Sequence, residues 1–208
     1  MKSSWLNFED KNKELIVFFN GWGFDEYVVK SLDAKGFDVI VIYDYQDLDF
    51  DFSHINFKKY EKKHLICWSM GVMVSNLFGS IFDDFNSKIA INGTPEMIDD
   101  EFGIPKRIFA LTLKRFNEES AKKFAQNMFG ETLITPKRSV EELKQELESL
   151  NTVKIDVPMC FDKAYISTAD KIVPAKNQLN YWLNKTSTQL LNCQHYPFNQ
   201  FKRWSELL

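Results

Sequence analysis

Three residues far apart in the chain, Ser69, Asp170 and His195, are of the types that together make a hydroxyl nucleophilic. A serine hydroxyl is a weak nucleophile at neutral pH and needs a base to take its proton during attack. A histidine can be that base and can then return the proton to a leaving group. An aspartate holds the imidazole tautomer and stabilises its charged form. Each residue also has a plainer reading. Ser69 fits an ordinary strand-to-helix turn, His195 a structural histidine, and Asp170 ahead of Val173-Pro174 a turn and helix start. Asp99 or Asp100 is an alternative acid. Cys193, two residues from His195, is a less favoured nucleophile, because neighbours at a strand end need not bring their side chains together.

Around Ser69 the sequence runs Leu65-Ile66-Cys67-Trp68-Ser69-Met70-Gly71-Val72. A short apolar run ends in a serine with small residues two positions either side, and an amphipathic stretch follows at once. That pattern predicts a strand, a sharp turn with Ser69 at its apex, and a helix. A turn of this kind strains the serine backbone and leaves room only for small residues at 67 and 71. Gly71 meets the requirement fully, and Cys67 meets it by being compact.

The elements that would position these groups alternate between strand and helix. Leu15–Phe19 is an apolar run suited to a strand buried on both faces. It leads into the loop Asn20-Gly21-Trp22-Gly23, then a helical stretch 26–34 and a second strand 38–43. Aspartates 47, 49 and 51 suggest a calcium loop, but Phe52 and Lys58 stand where glycine and glutamate are needed. Strands follow at 64–68, 88–92, 163–167 and 188–192. The helix after Ser69 should bury Met70, Val74, Leu77, Phe78 and Ile81. Pro174 should open a helix burying Ala175, Leu179, Trp182 and Leu183, and a last helix spans 199–208.

Between the fourth and fifth strands the rhythm gives way to helices. Asn117-Glu118-Glu119 starts one with Ala121, Phe124, Ala125 and Met128 as its apolar stripe and Gly130 at its end. Ser139-Val140-Glu141-Glu142 is a capping box for another. The expected organisation is a core of residues 1–94 and 158–208 with a helical cap at 95–157. A mostly parallel sheet of about six strands gathers its sites at the strands' carboxyl ends. Ser69, Asp170 and His195 follow the third, fifth and sixth strands, and the order Ser…Asp…His is that of the α/β-hydrolase fold. The backbone N–H groups of Met70 and Trp22 are the candidate oxyanion donors.

With 208 residues the chain can bury a sizeable single core. Its net charge of −3 gives no global attraction to nucleic acid. Three cysteines without a C-x-x-C pair fit reduced thiols and a cytoplasmic setting. The stretch from Met1 to Trp5 lacks a signal-peptide core, no apolar run reaches the roughly 20 residues of a membrane span, and no metal or cofactor is expected.

Phe19-Asn20-Gly21-Trp22-Gly23, Trp68-Ser69-Met70-Gly71, Ala169-Asp170-Lys171-Ile172-Val173-Pro174 and His195-Tyr196-Pro197-Phe198 together resemble the BioG-type pimeloyl-acyl-carrier-protein methyl ester esterases of biotin synthesis. The likeness runs from Leu15 to Phe198, and Gly103–Thr112 is similar to that family's cap. The resemblance implies that Ser69, Asp170 and His195 form a catalytic triad. It also implies that Trp22 and Met70 supply oxyanion amides, with the Trp22 ring lining an acyl channel. The implied reaction is hydrolysis of the methyl ester on a pimeloyl-carrier protein, without cofactor. Asn20 departs from the histidine common before the oxyanion glycine in the wider fold, and the two usual leading strands are expected to be absent.

The residues themselves point to a protein-borne substrate too. Lys106, Arg107, Lys114, Arg115, Lys122 and Lys123 face only Glu118 and Glu119 within one window. A basic cap would steer an acidic acyl carrier protein, although a solvated helix face has the same composition. A general carboxylesterase, an acyl-carrier thioesterase and a non-catalytic ligand binder are the competing readings.

Overall fold

The computed structural model describes residues 1–129 and 136–208. Seven strands form one sheet: β1 (Lys2–Asn7), β2 (Glu14–Phe19), β3 (Phe37–Tyr43), β4 (Lys62–Trp68), β5 (Ser87–Ile91), β6 (Lys163–Ser167) and β7 (Ser187–Leu191). Their spatial order is β1-β3-β2-β4-β5-β6-β7, and all pairs are parallel except β1 with β3. The sheet thus has one strand more than the six expected. β1 carries no apolar run to mark it; its residues are exposed or half-buried, and its register slips between Trp5 and Asn7. One leading antiparallel strand is therefore present.

The apolar runs are buried as their composition demands. Leu15, Val17 and Phe19 of β2 enter one core with Leu65 and Cys67 of β4. Ile16 and Phe18 enter the other with Ile66 and Trp68. Alternate side chains go to opposite faces, so a strand covered on both sides has no polar positions to spare.

Helix α1 (Met70–Ser75) starts directly at the end of β4. It is shorter than the 3.6-residue pattern predicts. The Ser75 hydroxyl and the Asn76 amide both donate to the Val72 carbonyl, competing with helical bonds, and the chain continues as a 3-10 stretch that kinks at Phe78. Leu77 is consequently exposed. The stretch expected as a helix at 26–34 is only a 3-10 turn, Glu26–Val29. Beyond it the backbone of Asp33 bonds instead to Lys202 and Trp204. The last segment likewise holds two 3-10 turns, Phe198–Gln200 and Trp204–Glu206, in place of a helix.

Three helices lie between β5 and β6: α2 (Lys106–Arg115), α3 (Glu118–Phe129) and α4 (Val140–Leu150). The capping box at Ser139 and Glu142 is present in both directions. Gly130, expected to end α3, lies outside the described residues. Helix α5 (Ala175–Trp182) buries Gln178, Tyr181 and Trp182, whereas Leu179 and Leu183 are exposed. Its inward face is thus rotated from the expected one, for a reason that lies in the site.

Candidate active site

Ser69 occupies φ 55°, ψ −125°, a strained conformation for a residue with a side chain. The turn is tight because α1 sits against the end of β2. A Cβ on Gly71 would fall 2.4 Å from the Phe19 carbonyl oxygen and 2.5 Å from that of Asn20. Only glycine permits that approach. Cys67 packs between Phe19 and Ala90 on the neighbouring strands, and burial pushes its thiol well up, so it stays a neutral hydrophobe.

The Ser69 Oγ lies 2.8 Å from His195 Nε2, and His195 Nδ1 lies 2.7 Å from Asp170 Oδ2. The His195 and Asp170 side chains are fully shielded from solvent. An ionised carboxylate only accepts, which puts the imidazole proton on Nδ1 and leaves Nε2 to accept the serine hydroxyl. Asp170 also satisfies its plainer reading. Its Oδ1 accepts from the N–H groups of Ile172 and Val173, shaping the turn, while Oδ2 faces His195. The alternative acids are engaged elsewhere: Asp99 accepts from Glu101 and Phe102 and pairs with Lys106, and Asp100 accepts from the Lys106 N–H. Cys193 contacts Ser167 at 3.1 Å, with its thiol raised by burial.

Three supporting residues escaped the sequence reading. Gln178 donates to Asp170 Oδ2 at 3.0 Å and to the Val173 carbonyl, which is why α5 turns a glutamine inward. Asn92, at φ 48°, donates to the His195 carbonyl at 2.8 Å. The Trp68 indole donates to the same carbonyl at 3.1 Å, and its ring lies 5.6 Å from the imidazole. The only advance signal was Asn92-Gly93 directly after a strand, a pair suited to positive φ.

The Trp22 and Met70 N–H groups have no hydrogen-bond partner among the described residues. Asn20, which departs from the common pattern, orders the loop by accepting from the Gly21 N–H and donating to the carbonyls of Phe24 and Asp25. Ser69 opens on a cavity of about 330 Å³ lined by Trp22, Met70, Ile108, Phe124, Met128 and Leu147, among others. The Trp22 ring is held edge-on by Phe116 and Phe124. All six basic residues of the window are exposed. Lys106 is paired with Asp99 at 3.0 Å, and Arg115 and Lys123 also line the cavity. The arrangement sets a histidine-bonded serine hydroxyl and two unpartnered N–H donors beside a largely apolar cavity.

A second Ser–His–acid chain joins Ser87, His64 and Glu14, with separations of 2.8 and 3.3 Å. It lies at the amino ends of β2, β4 and β5, where a parallel sheet offers neither an elbow nor a helix N-terminus. Among the described residues no group of three or more His, Cys, Asp or Glu side chains is arranged to hold a metal ion. Nor is any helix among them long and apolar enough to cross a membrane.

Comparison with known proteins gives consistent matches. The family model described as "Pimeloyl-ACP methyl esterase BioG" matches residues 1–207. A crystal structure of BioG from Haemophilus influenzae superposes with a TM-score of 0.87 at 32% identity, covering 100% of this chain and 99% of that one. A Bacteroides fragilis protein named malonyl-[acyl-carrier protein] O-methyltransferase is 39% identical over 184 residues, 82% of this chain but only 36% of that protein. The chain thus spans about a third of that relative's length. The enol-lactonase of Burkholderia xenovorans, at 13% identity and a TM-score of 0.68 over 94% of this chain and 89% of that one, shares the fold.

Proposed function

The chain belongs to the pimeloyl-ACP methyl esterase BioG family, and from that premise we propose that it hydrolyses the methyl ester of pimeloyl-acyl-carrier protein with Ser69 as nucleophile. The observation that carries this reading is the continuous hydrogen-bonded chain Ser69–His195–Asp170 opening on an apolar cavity. Residues 95–157 act as the cap over that cavity, and the acyl chain lies in it with the ester carbonyl at Ser69.

As the Ser69 oxygen bonds to the ester carbon, His195 Nε2 takes the hydroxyl proton. The carbonyl oxygen becomes an oxyanion held by the Trp22 and Met70 N–H groups, whose removal individually costs about 3–4 kcal/mol of transition-state stabilisation in comparable sites. The bond to the methoxy oxygen then breaks, and His195 gives its proton to that oxygen, releasing methanol. Water attacks the acyl-serine with His195 again as base, and the serine hydroxyl is restored.

A carrier-borne substrate is supported by the exposed cations of α2 and α3 and by Arg115 and Lys123 at the cavity. The relative named for O-methylation of malonyl-acyl-carrier protein supports an ester carried in that way. A substrate borne on an acyl carrier protein supports the cytoplasm as the enzyme's setting. Mass spectrometry of the pimeloyl-carrier protein methyl ester after incubation tests the reading. Loss of one methylene's mass is expected. Loss of the whole acyl group would make it a thioesterase, and an unchanged mass with turnover of small esters would make it a general carboxylesterase.

A further inference from the structure

Helix α4 carries a carboxylate that the reaction just described does not use. Glu146 is fully buried. Its Oε2 accepts from the Gly23 N–H at 3.2 Å and pairs with the Arg138 guanidinium, and its Oε1 accepts from the Tyr45 N–H at 2.8 Å. The Tyr45 hydroxyl in turn donates to the Asn20 carbonyl at 2.6 Å. Three residues before Glu146, the Leu143 carbonyl accepts the Trp22 indole N–H at 3.0 Å.

These bonds converge on the turn 20–23. Along it the N–H of Gly21 is held by the Asn20 side chain and the N–H of Gly23 by Glu146. The Trp22 N–H between them has no partner among the described residues. Pinning the N–H groups before and after it leaves this one little freedom to turn, and Gly23 adopts the positive φ of 85° that the turn needs. We propose that Glu146 is a positioning residue that aims the Trp22 N–H at the oxyanion, so that the oxyanion hole is complete only when α4 is docked on the turn. The proposal rests on the esterase reading of Ser69 and deepens it.

A structural role alone does not account for the choice of residue. Burying a carboxylate is costly, and an apolar pair in place of Glu146 and Arg138 would often be as stable or more so. Burial pushes the Glu146 carboxyl up to about 7 against the pull of Arg138. The charged groups facing it are Arg138 and, through Arg138, Asp44, which Lys2 also pairs at 2.8 Å. What the carboxylate alone provides is two acceptor oxygens, one for each of two separate backbone N–H groups.

The test compares Glu146→Gln, and the double substitution Arg138→Met with Glu146→Gln, against wild type on a short p-nitrophenyl ester. The double substitution removes both buried charges and keeps the fold testable if the single one melts. Expected is a fall in kcat on the order of 10- to 100-fold with KM within about twofold, the signature of a donor misplaced in the transition state. Affinity for a trifluoromethyl ketone, which forms an oxyanion adduct, should fall in parallel. A kcat within about twofold of wild type in either folded variant would overturn the proposal. Failure of the esterase reading itself looks different: wild type would then form no adduct at all.

Discussion

The carbonyl oxygen of Phe19 occupies the place where Gly71 would otherwise carry its Cβ, 2.4 Å from that position. Through this contact the end of β2 and the start of α1 become one rigid unit. The two candidate oxyanion donors belong to the two halves of that unit, Trp22 to the loop after β2 and Met70 to the first turn of α1. Their separation is therefore set by a missing side chain.

Gly71→Ala should force β2 and α1 apart. Overpacking of this kind costs about 1–3 kcal/mol, and backbone on the opposing side leaves little room to relax. We expect a lower melting temperature and loss of fluorophosphonate labelling. A folded variant that labels at the wild-type rate would show that the contact does not set the donors.

Fluorophosphonate labelling of wild type should be abolished by Ser69→Ala with the melting temperature little changed. Asp170→Asn should keep the serine but lower kcat by on the order of 10⁴-fold, because an amide can no longer hold the required imidazole tautomer. Labelling that survives Ser69→Ala would move the nucleophile elsewhere.

Reversing Arg107 and Lys114 to glutamate should lower kcat/KM for carrier-bound ester and flatten its salt dependence, while small esters are spared. Both side chains are exposed and neither lines the cavity, unlike Arg115. Equal losses on both substrates would remove the docking role.

Asp38 offers a test of stability against pH. Its burial alone would raise the carboxyl, but hydrogen bonds from the Glu9 N–H, Tyr60, Asn12 and Lys59 outweigh this and hold it below the usual carboxylate range. A depressed carboxyl stabilises the fold above its unfolded value of about 4 and loses that contribution as pH falls through the folded value. Asp38→Asn should cost about 1.5–3 kcal/mol near neutrality and flatten the acid limb of urea unfolding. An unchanged acid limb would assign that limb to other carboxylates.

The apolar runs of β2 and of the Leu65–Trp68 end of β4 were legible because strands covered on both faces have few polar positions to spare, and β6 matches its expected bounds residue for residue. The α4 capping box was legible because it is complete within four residues. β1 was not, because its residues carry no apolar run, whereas β7, equally an edge strand and more exposed, was expected within one residue of its bounds. In α5 the apolar pattern placed Trp182 inward correctly but Leu179 and Leu183 wrongly. The buried Gln178 is chosen by Asp170, and apolar periodicity does not register a polar group satisfied by a partner.

The sequence by itself therefore determined the parallel sheet, the elbow at Ser69 and the order of serine, aspartate and histidine, since these follow from burial and backbone strain over a few neighbouring residues. Only the tertiary structure decided which carboxylate meets His195, with Asp170 in contact and Asp99 and Asp100 bound elsewhere. It alone brought Glu146 to Gly23 across 123 residues and Asn92 to the His195 carbonyl across 103. Such pairings have no local signature. They exist because closing the fold buries polar groups that must then find one another.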